Sequence, residues 1–494
     1  MRRRSLLVVA AVLCALATGL LAAVPAGAGP KSCDNRRSLT VKKLLQCVTL
    51  AGVREHQAAF QEIADENGGN RFSGFPGYDA SVDYVVEQLE AAGYDPEVQE
   101  FDYLAFTIVG PSALQQTAPN AITYVEGVDF GVIDQSDPGD VTAAVTAVDL
   151  QLGIGNTSTS GCEAADFAGF PAGNIALLQR GACTFELKAE NAAAAGAVGI
   201  VIFNQGDTAD PSRQEIPPVT LTANNTSGIP VLGTTYALGE TLAGIAGLQM
   251  RVFANTLREI KPTSNVLAEL PGRNADNVVM VGAHLDSVFD GPGINDNGSG
   301  SGAILEVAEA MRNVKPNNTV RFAWWGAEES GLVGSTFYVD GLTEAEEDEI
   351  ALYLNFDMVG SPNYVRFVYD GSGDVGPVGP PGSAAIEDLF VGFYDDRGLE
   401  SEPTPFDGRS DYGPFIAEGV EIPAGGLFTG AEGIKTLEQR DVYGGIAGAQ
   451  FDPCYHEACD TFSNNSNEVL DLNSDAIAFA TLTYAMDTSS VTGP

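Results

Sequence analysis

The most informative segment of this sequence is NVVMVGAHLDSV at residues 277–288, which is followed by GPGINDNGSG at 291–300. It begins as a continuous apolar run, which is typical of a strand buried on both faces of a parallel sheet. The run ends at His284, and Asp296 follows twelve positions later. Imidazole and carboxylate, with no cysteine nearby, suit a divalent metal such as zinc. We interpret the segment as the first half of a metal site.

Two further apolar runs end in the same way. TVRFAWWG at 319–326 leads into Glu328 and Glu329, and IALYLNF at 350–356 leads into Asp357. Ligands of open α/β sheets bind outside the carboxyl ends of the strands. We therefore predict an α/β fold with a mostly parallel central sheet flanked by helices, in which these strand ends bring metal ligands to one edge.

The segment FDPCYHEACDT at 451–461 contributes a further candidate metal ligand. Cys454 and Cys459 enclose a short loop that contains Tyr455 and His456. A disulfide of this length restrains the loop, and such rigidity suits a metal ligand. An exposed histidine in a stapled loop is the alternative interpretation.

The N-terminal residues 1–28 are typical of a secretory signal peptide, because three arginines precede an apolar run and a small-residue tail. A membrane anchor is the alternative, but Pro25 and small residues follow the run and no charged cluster does. The remaining cysteines fall into local couples, so we expect disulfides in an oxidising compartment. The expected pairs are Cys33–Cys47, Cys162–Cys183 and Cys454–Cys459. We expect a secreted, extracellular protein with no membrane association after cleavage.

The charge composition of the chain limits the classes of partner that it can bind. The chain has 494 residues, with 66 acidic against 25 basic side chains and a formal net charge of -41. A surface of this charge repels nucleic acid and anionic membranes, so we expect neither as a partner. The length is sufficient for two or more domains.

The chain divides into regions of different character. Residues 29–125 begin with helical periodicity, and their clearest helix ends at Gly93. Residues 126–255 are richer in short strand-like runs, whereas residues 256–494 return to alternating strands and helices. We expect a domain at 126–255 to be inserted between two parts of a larger one.

Seven motifs occur in a fixed order between residues 282 and 460: GAHLDSV, GINDNGSG, WGAEESGLVGS, LNFDMVG, DGRSDYGPF, GGLFTGAEG and CYHEACD. The series resembles the co-catalytic di-zinc aminopeptidases, most closely the secreted bacterial leucine aminopeptidase type and more distantly vacuolar aminopeptidase Y. The resemblance is dense over 264–486 and weaker over 50–110. It implies a zinc exopeptidase-like fold and the release of N-terminal residues from peptides or proteins by metal-activated water.

Carried over by position, the resemblance implies two zinc ions per chain. His284 and Asp357 would hold one ion. Glu329 and His456 would hold the other, and Asp296 would bridge them. The chemistry needs such ligands because zinc lowers the pKa of bound water to about 7.

The resemblance also implies roles for residues around the ions. Glu328 would act as general base and then general acid, and Tyr455 would donate its hydroxyl to the developing oxyanion. Asp286 would orient the imidazole of His284, as metal-bound histidines usually require. The family commonly has a cis peptide bond after the bridging aspartate, here Asp296–Asn297.

The resemblance constrains substrate specificity less than it constrains the metal ligands. Met358 and Phe428 would line an apolar pocket that favours Leu, Phe or Met at the N-terminus of the substrate. The backbone of Arg409 would help to bind the α-amine, but its side chain could instead bind a carboxylate, as in a carboxypeptidase or dipeptidase. A glutaminyl cyclase with one zinc and a non-catalytic receptor-like homologue are further alternatives, although a receptor would typically have lost ligands. Calcium is possible but unsupported, because no EF-hand spacing occurs, and the oligomeric state stays open.

The middle of the chain resembles a second family. GNIALLQRGACTFELKAENAAAAGAVGIVIFN at 173–204 and IPVLG at 229–233 are similar to a protease-associated domain. The resemblance implies a β-rich fold with a few helices. Such a domain could cover the cleft, select substrates or bind a partner, or it could be a stabilising insertion.

Overall fold

The computed structural model describes residue 33 and residues 40–217 and 219–493. The signal peptide expected at 1–28 lies outside the described residues. Within the described ranges, no helix is both long and apolar enough to cross a membrane. The expected disulfides are confirmed as Cys33–Cys47, Cys162–Cys183 and Cys454–Cys459.

The strands alternate with helices along most of the described chain. In chain order the strands are β1 (Glu97–Ile108), β2 (Ala113–Ala118), β3 (Ile122–Thr123), β4 (Phe130–Val132), β5 (Gly139–Ala147), β6 (Ile175–Gln179), β7 (Gly199–Phe203), β8 (Val231–Thr234), β9 (Gln249–Ala254), β10 (Thr256–Leu270), β11 (Asn274–His284), β12 (Asn318–Trp325), β13 (Ile350–Phe356), β14 (Phe367–Tyr369), β15 (Glu402–Thr404) and β16 (Ala424–Phe428).

The helices cover both faces of the first sheet and part of the second. In chain order they are α1 (Val41–Leu44), α2 (Leu50–Glu66), α3 (Pro76–Ala92), α4 (Phe185–Ala194), α5 (Tyr236–Ala243), α6 (Gly298–Met311), α7 (Val333–Asp340), α8 (Glu344–Glu349), α9 (Ser383–Asp395), α10 (Tyr412–Ile416), α11 (Leu437–Tyr443), α12 (Asn467–Met486) and α13 (Ser489–Thr492). The predicted glycine stop is confirmed: α3 is capped by Gly93, whose φ of 92° is left-handed.

The first sheet has the strand order β1-β10-β12-β11-β13-β16-β14-β15. Its four central strands, β12, β11, β13 and β16, run parallel, whereas β10 and β14 pair antiparallel on either side of them. Alternate residues of β11 enter different cores: Val279 and Val281 pack on one face, and Val278 and Met280 pack on the other. Burial on both faces explains why the sequence of this strand is continuously apolar.

Along the chain, the second sheet is inserted between β1 and β10, which pair with each other in the first sheet. β1 and β10 pair antiparallel from Glu97–Leu267 to Ile108–Thr256, so the chain leaves and re-enters the first sheet at adjacent positions. Residues 109–255 contain all strands of the second sheet, in the order β3-β2-β9-β5-β6-β7-β8-β4. This sheet already includes β2 and β3, which we expected within the peptidase region 29–125. Its fold is β-rich with few helices, as expected.

Candidate metal centre

The central parallel strands bring the predicted ligands to one edge of the first sheet. β11 ends at His284, which pairs in register with the last residue of β12. Glu328 and Glu329 follow β12, and Asp357 directly follows β13, the neighbour of β11 on its other side. Because parallel strands share the direction of their carboxyl ends, the three segments meet at one edge.

Asp296 lies between two histidines. His284 Nε2 is 3.1 Å from Asp296 Oδ1 and 3.3 Å from Asp357 Oδ1. His456 Nε2 is 3.4 Å from Asp296 Oδ2 and 3.0 Å from Glu329 Oε2. Each of these two triplets places one donor atom per residue within 4.8 Å of the others. Asp296 therefore offers one oxygen to each triplet.

The donor set fits divalent zinc. It consists of imidazole nitrogens and carboxylate oxygens, which are ordinary zinc ligands. Glu329 Oε1 and Asp357 Oδ1 are buried and have no hydrogen-bond partner. A buried acceptor without a partner is costly unless a cation or donor satisfies it. The residues present therefore suit a pair of cations that share Asp296.

Hydrogen bonds from the backbone fix the position of the segment around Asp296. The amides of Asn295 and Asp296 donate to the two carboxylate oxygens of Asp460, each at 2.9 Å. The Asp296–Asn297 peptide bond is cis, as the resemblance implied. Asn297 Oδ1 accepts from Gly300 N at 2.9 Å and so caps the start of α6. The position of Asp296 is thereby tied both to the His456 loop and to a helix.

Asp286 contacts both ligand-bearing strand ends. Its main-chain carbonyl lies 3.1 Å from His284 Nδ1, whereas its carboxylate Oδ1 lies 3.6 Å from the same nitrogen. The carboxylate accepts from the backbone amides of Glu328 at 3.2 Å and Glu329 at 3.4 Å. Asp286 thus contacts the imidazole mainly through its main-chain carbonyl, and its carboxylate binds the backbone amides of both glutamates, contacts that the sequence did not reveal.

Arg71 forms hydrogen bonds with the loop between His284 and Asp296. Its side chain is fully buried and donates to the carbonyls of Pro292 at 2.9 Å and Gly293 at 2.7 Å, and also to that of Leu285. Burial lowers the pKa of this guanidinium to about 10, although nearby aspartates oppose that effect. Sequence reasoning missed Arg71 because a single arginine outside any periodic segment carries no signal.

The electrostatics of the site reflect crowded acidic groups. Burial alone would lower the pKa of His284, but Glu328 and Asp357 outweigh it and raise the pKa well above its usual value. Burial is likewise outweighed at His456, whose contacts with Asp296 and a second carboxylate raise its pKa to about 11. The carboxylates therefore create a strongly negative field at the two imidazoles, and a divalent cation would be stabilised by the same field.

A cleft opens above the ligands and contains most of the predicted site residues. Its wall includes Asp296, Glu328, Glu329, Asp357, Met358, Arg409, Phe428, Tyr455 and His456. His284 and Asp286 lie beneath them and are buried. Tyr369, Pro405 and Ala431, which the sequence did not single out, extend the apolar part of the wall.

Arg409 is already paired within the cleft. Its guanidinium donates to Glu432 Oε1 at 2.9 Å and to the hydroxyl of Tyr455 at 3.2 Å. The ring of Tyr455 stacks on the imidazole of His456 with centroids 3.8 Å apart. Arg409 therefore contacts the phenol expected to act on substrate.

Asp357 is oriented by a short chain of hydrogen bonds. Ser410 Oγ donates to Asp357 Oδ2 at 2.7 Å, and Asn355 Nδ2 donates to Ser410 Oγ at 2.8 Å. This chain leaves the other oxygen of Asp357 directed at His284. The motif that supplies Ser410 was recognised in the sequence, but its contact with Asp357 was not.

The chain is similar to known proteins in both sequence and fold. The sequence pattern of Peptidase family M28 matches residues 265–481, and that of the PA domain matches residues 141–242. Among solved structures, an aminopeptidase from Aneurinibacillus sp. strain AM-1 has 26% identity and a TM-score of 0.65, covering 89% of this chain and 95% of its own. BSAP, a zinc aminopeptidase from Bacillus subtilis, has 25% identity and a TM-score of 0.61, covering 88% and 94%.

Curated relatives match a similar part of the chain with higher sequence identity. The protein named aminopeptidase from Pseudomonas aeruginosa is 52% identical over 449 residues, which cover 91% of this chain and 83% of that relative. Leucine aminopeptidase 2 from Trichophyton equinum is 41% identical over 445 residues, which cover 88% and 83%. Together with the matched sequence patterns, these similarities establish that the chain belongs to Peptidase family M28 and includes a PA domain.

Proposed function

We propose that this chain is a secreted, zinc-dependent aminopeptidase that releases N-terminal, preferably apolar residues from peptides. The observation that carries the proposal is the sharing of Asp296 between two donor triplets in a cleft that also contains Glu328. The names of the Pseudomonas and Trichophyton relatives support an N-terminal site of cleavage, and leucine in the second name supports an apolar preference. The similarity to BSAP, which is named a zinc aminopeptidase, supports zinc as the metal.

In this proposal two zinc ions bind per chain. His284 and Asp357 would hold one ion, Glu329 and His456 would hold the other, and Asp296 would contribute an oxygen to each. When bound, zinc lowers the pKa of water to about 7 and polarises the carbonyl of the scissile bond. The two donor triplets support the proposal of two ions, whereas the names of the relatives support only zinc.

Glu328 is the proposed proton carrier. Its neighbour Glu329 points toward His456 at 3.0 Å, whereas Glu328 Oε2 lies 3.9 Å from His284 Nε2 and lines the cleft. A Glu328 oxygen takes a proton from the attacking water while the water oxygen bonds to the carbonyl carbon. The same carboxyl then gives this proton to the peptide nitrogen as the carbon–nitrogen bond breaks.

Tyr455 is the proposed donor to the oxyanion. Arg409 donates to the phenolic oxygen, so the phenolic proton remains free to be donated to the carbonyl oxygen as negative charge develops there. The same contact argues against a carboxypeptidase, because Arg409 is engaged by Glu432 as well as by Tyr455. We therefore assign Arg409 to positioning rather than to the binding of a substrate carboxylate.

Met358 and Phe428 form part of the proposed pocket for the first side chain of the substrate. They lie on the wall of the cleft with Tyr369 and Ala431. An apolar pocket discriminates by only about 1–3 kcal/mol per methylene, so the preference among large apolar residues is expected to be broad. Glu328 and Asp357, as nearby carboxylates, are suited to the charged α-amine.

The remaining assignments concern export and domain organisation. We propose cleavage after residue 28 and an extracellular location, which the three disulfides support. We propose that residues 29–108 and 256–494 form the peptidase domain and that residues 109–255, which contain the second sheet, form the inserted region with the PA domain. Substrates are the free N-termini of peptides or proteins.

One pair of substrates tests this proposal. Leucine-p-nitroanilide should be hydrolysed, whereas its N-acetylated form should not, because acetylation removes the α-amine. A chelator should abolish the activity, and zinc should restore it. Hydrolysis of both substrates at similar rates would exclude an aminopeptidase, and persistence of activity after complete chelation would exclude zinc dependence.

A further inference from the structure

A second group of histidine and carboxylates lies outside the cleft, between two helices. His56 belongs to α2, and Glu306 and Glu309 belong to α6. His56 Nε2 is 4.0 Å from Glu306 Oε2 and 3.9 Å from Glu309 Oε1. Glu306 and Glu309 are three positions apart, so they lie on the same face of α6. One donor atom of each of the three residues lies within 4.8 Å of the others.

His56 is the observation that points to a ligand. Its side chain is only 5% exposed, and Nε2 has no hydrogen-bond partner although it is directed at the two carboxylates. Its other nitrogen, Nδ1, lies 2.8 Å from the hydroxyl of Tyr84. A metal-bound histidine usually has such a partner on the nitrogen that does not bind the metal. The imidazole is therefore oriented with Nε2 free to bind.

Glu306 is oriented in the same manner. Its Oε1 accepts from the backbone amide of Thr49 at 3.0 Å and from the Thr49 hydroxyl at 3.2 Å. These contacts leave Oε2 facing His56. The side chain of Glu309 is 27% exposed, so the group opens to solvent on that side and an ion can reach it.

The positive charge that acts on these acids comes from Arg312 and does not offset their burial. Burial raises the pKa of Glu306 and of Glu309 to about 7, and Glu55 adds to that effect, whereas Arg312 opposes it. Burial lowers the pKa of His56 to about 4, which keeps the imidazole neutral and able to bind a metal. A divalent cation would supply the missing charge.

We propose that His56, Glu306 and Glu309 form a third zinc site, separate from the catalytic cleft. One imidazole nitrogen and two carboxylate oxygens are ordinary zinc ligands, and a solvent molecule on the side of Glu309 completes the set. Calcium is disfavoured as the occupant, because it prefers oxygen ligands throughout. Glu306 lies about 12 Å along α6 from the helix start beside Asp296, so this ion would not contact the substrate.

The third ion would join the N-terminal helices to the helix that begins beside Asp296. α2 and α6 already pack closely, since a Cβ built on Gly302 would lie 3.4 Å from the Cβ of His56. A cation bound to both helices adds its binding free energy to the folded state. We assign the site a structural function.

The test is the number of zinc ions bound per chain. The full-length mature protein is stripped with a chelator, reloaded with zinc, freed of excess by gel filtration and measured by plasma mass spectrometry. His56→Gln should bind one ion fewer than the unmodified protein and should retain its hydrolysis of leucine-p-nitroanilide. Glu418→Gln, which changes an exposed glutamate elsewhere, should bind the same number as the unmodified protein.

A second pair of variants separates this proposal from that for the cleft. His456→Ala should also lose one ion, but with loss of activity, and the double variant with His56→Gln should lose two. If His56→Gln does not fold, judged by circular dichroism, Glu309→Gln takes its place because its side chain is partly exposed. Unchanged zinc content in the folded variant would overturn the third site, whatever the cleft binds.

Discussion

Each sheet of this molecule has neighbouring parallel strands that end in polar residues, yet the two edges are built differently. In the first sheet the residues that follow β12 and β13 retain unsatisfied acceptors, Glu329 Oε1 and Asp357 Oδ1. In the second sheet the polar side chains at the strand ends form hydrogen bonds with nearby main-chain carbonyls. Gln179 Nε2 at the end of β6 donates to the carbonyl of Gln205 at 2.8 Å, and Asn204 Nδ2 after β7 donates to a nearby carbonyl at 2.7 Å.

The difference shows when a polar strand end becomes a binding site. Amide side chains carry both donors and acceptors, so nearby main-chain groups can satisfy them without a ligand. Carboxylates accept only, and several of them buried together need a cation. The topology is similar at the two edges, and the side-chain chemistry separates a metal centre from a structural network.

The largest expected effect concerns the carboxylate that the proposal leaves free of metal. Glu328→Gln should lower kcat by about 10²–10⁴-fold, because general acid–base catalysis contributes that much. Zinc content should stay unchanged, since the variant keeps every proposed ligand. Steady-state kinetics with leucine-p-nitroanilide and metal analysis provide the measurement.

The matched control for Glu328 lies at the corresponding edge of the second sheet. Gln205→Ala should leave kcat for this small substrate unchanged, because that edge holds no proposed reacting group. Equal losses in the two variants would mean that both edges serve the reaction, and the contrast between them would fail.

The next effect is on stability. Arg71→Ala should lower the free energy of unfolding by about 3 kcal/mol, because it leaves several buried carbonyls without their donor. Tryptophan fluorescence in urea can follow this change within the first sheet, since Trp324 and Trp325 are the two tryptophans of the chain and both lie in β12. Arg251→Ala, which changes a partly exposed arginine of the second sheet, should leave the midpoint of this unfolding transition nearly unchanged.

The second sheet has its own buried cation, Lys188, which should produce a smaller, pH-dependent effect. Burial lowers its folded-state pKa from 10.5 to about 8. Between these values the unfolded chain binds more protons than the folded one, so the contribution of Lys188 to stability rises as pH increases from 8 to 10.5. Lys188→Met should remove this rise in thermal unfolding followed by circular dichroism. A variant whose pH profile parallels that of the unmodified protein would contradict the assignment.

The smallest effect is expected at Arg409. Arg409→Ala should lower kcat by less than about tenfold, because it removes one hydrogen bond to Tyr455 in a solvent-exposed setting. The preference for a free α-amine over an acetylated one should persist. If the variant instead gained activity on acetylated substrates, Arg409 would be a determinant of exopeptidase specificity rather than a positioning residue.

The cleft was largely predictable because its ligands interrupt strong patterns. His284 and Asp357 each end a buried apolar run, and His456 lies in a loop closed by a disulfide. Each of these positions breaks a regular pattern and is therefore visible in one sequence. His56 gave no comparable signal, because a histidine on the buried face of a helix is indistinguishable from a core residue until its neighbours are known.

The arrangement of the outer strands was not predictable in the same way. The alternation of apolar and polar residues in VQEFDYLAF, residues 98–106, is typical of a strand, but it does not indicate that the partner of this strand is β10. Alternation specifies which face of a strand is buried, whereas pairing depends on segments far away in sequence. For the same reason the sequence did not indicate that β2 and β3 belong to the second sheet.

The pairing of Ile108 with Thr256 has a consequence for how the molecule can be rebuilt. Residues 109–255 connect two antiparallel neighbours of the first sheet, as the turn of a hairpin does. Because the inserted domain brings its own ends together, it relieves the peptidase of most of the entropy that closing so long a loop would cost. A few turn residues could replace the whole domain, and foreign domains with adjacent termini could be grafted at the same junction.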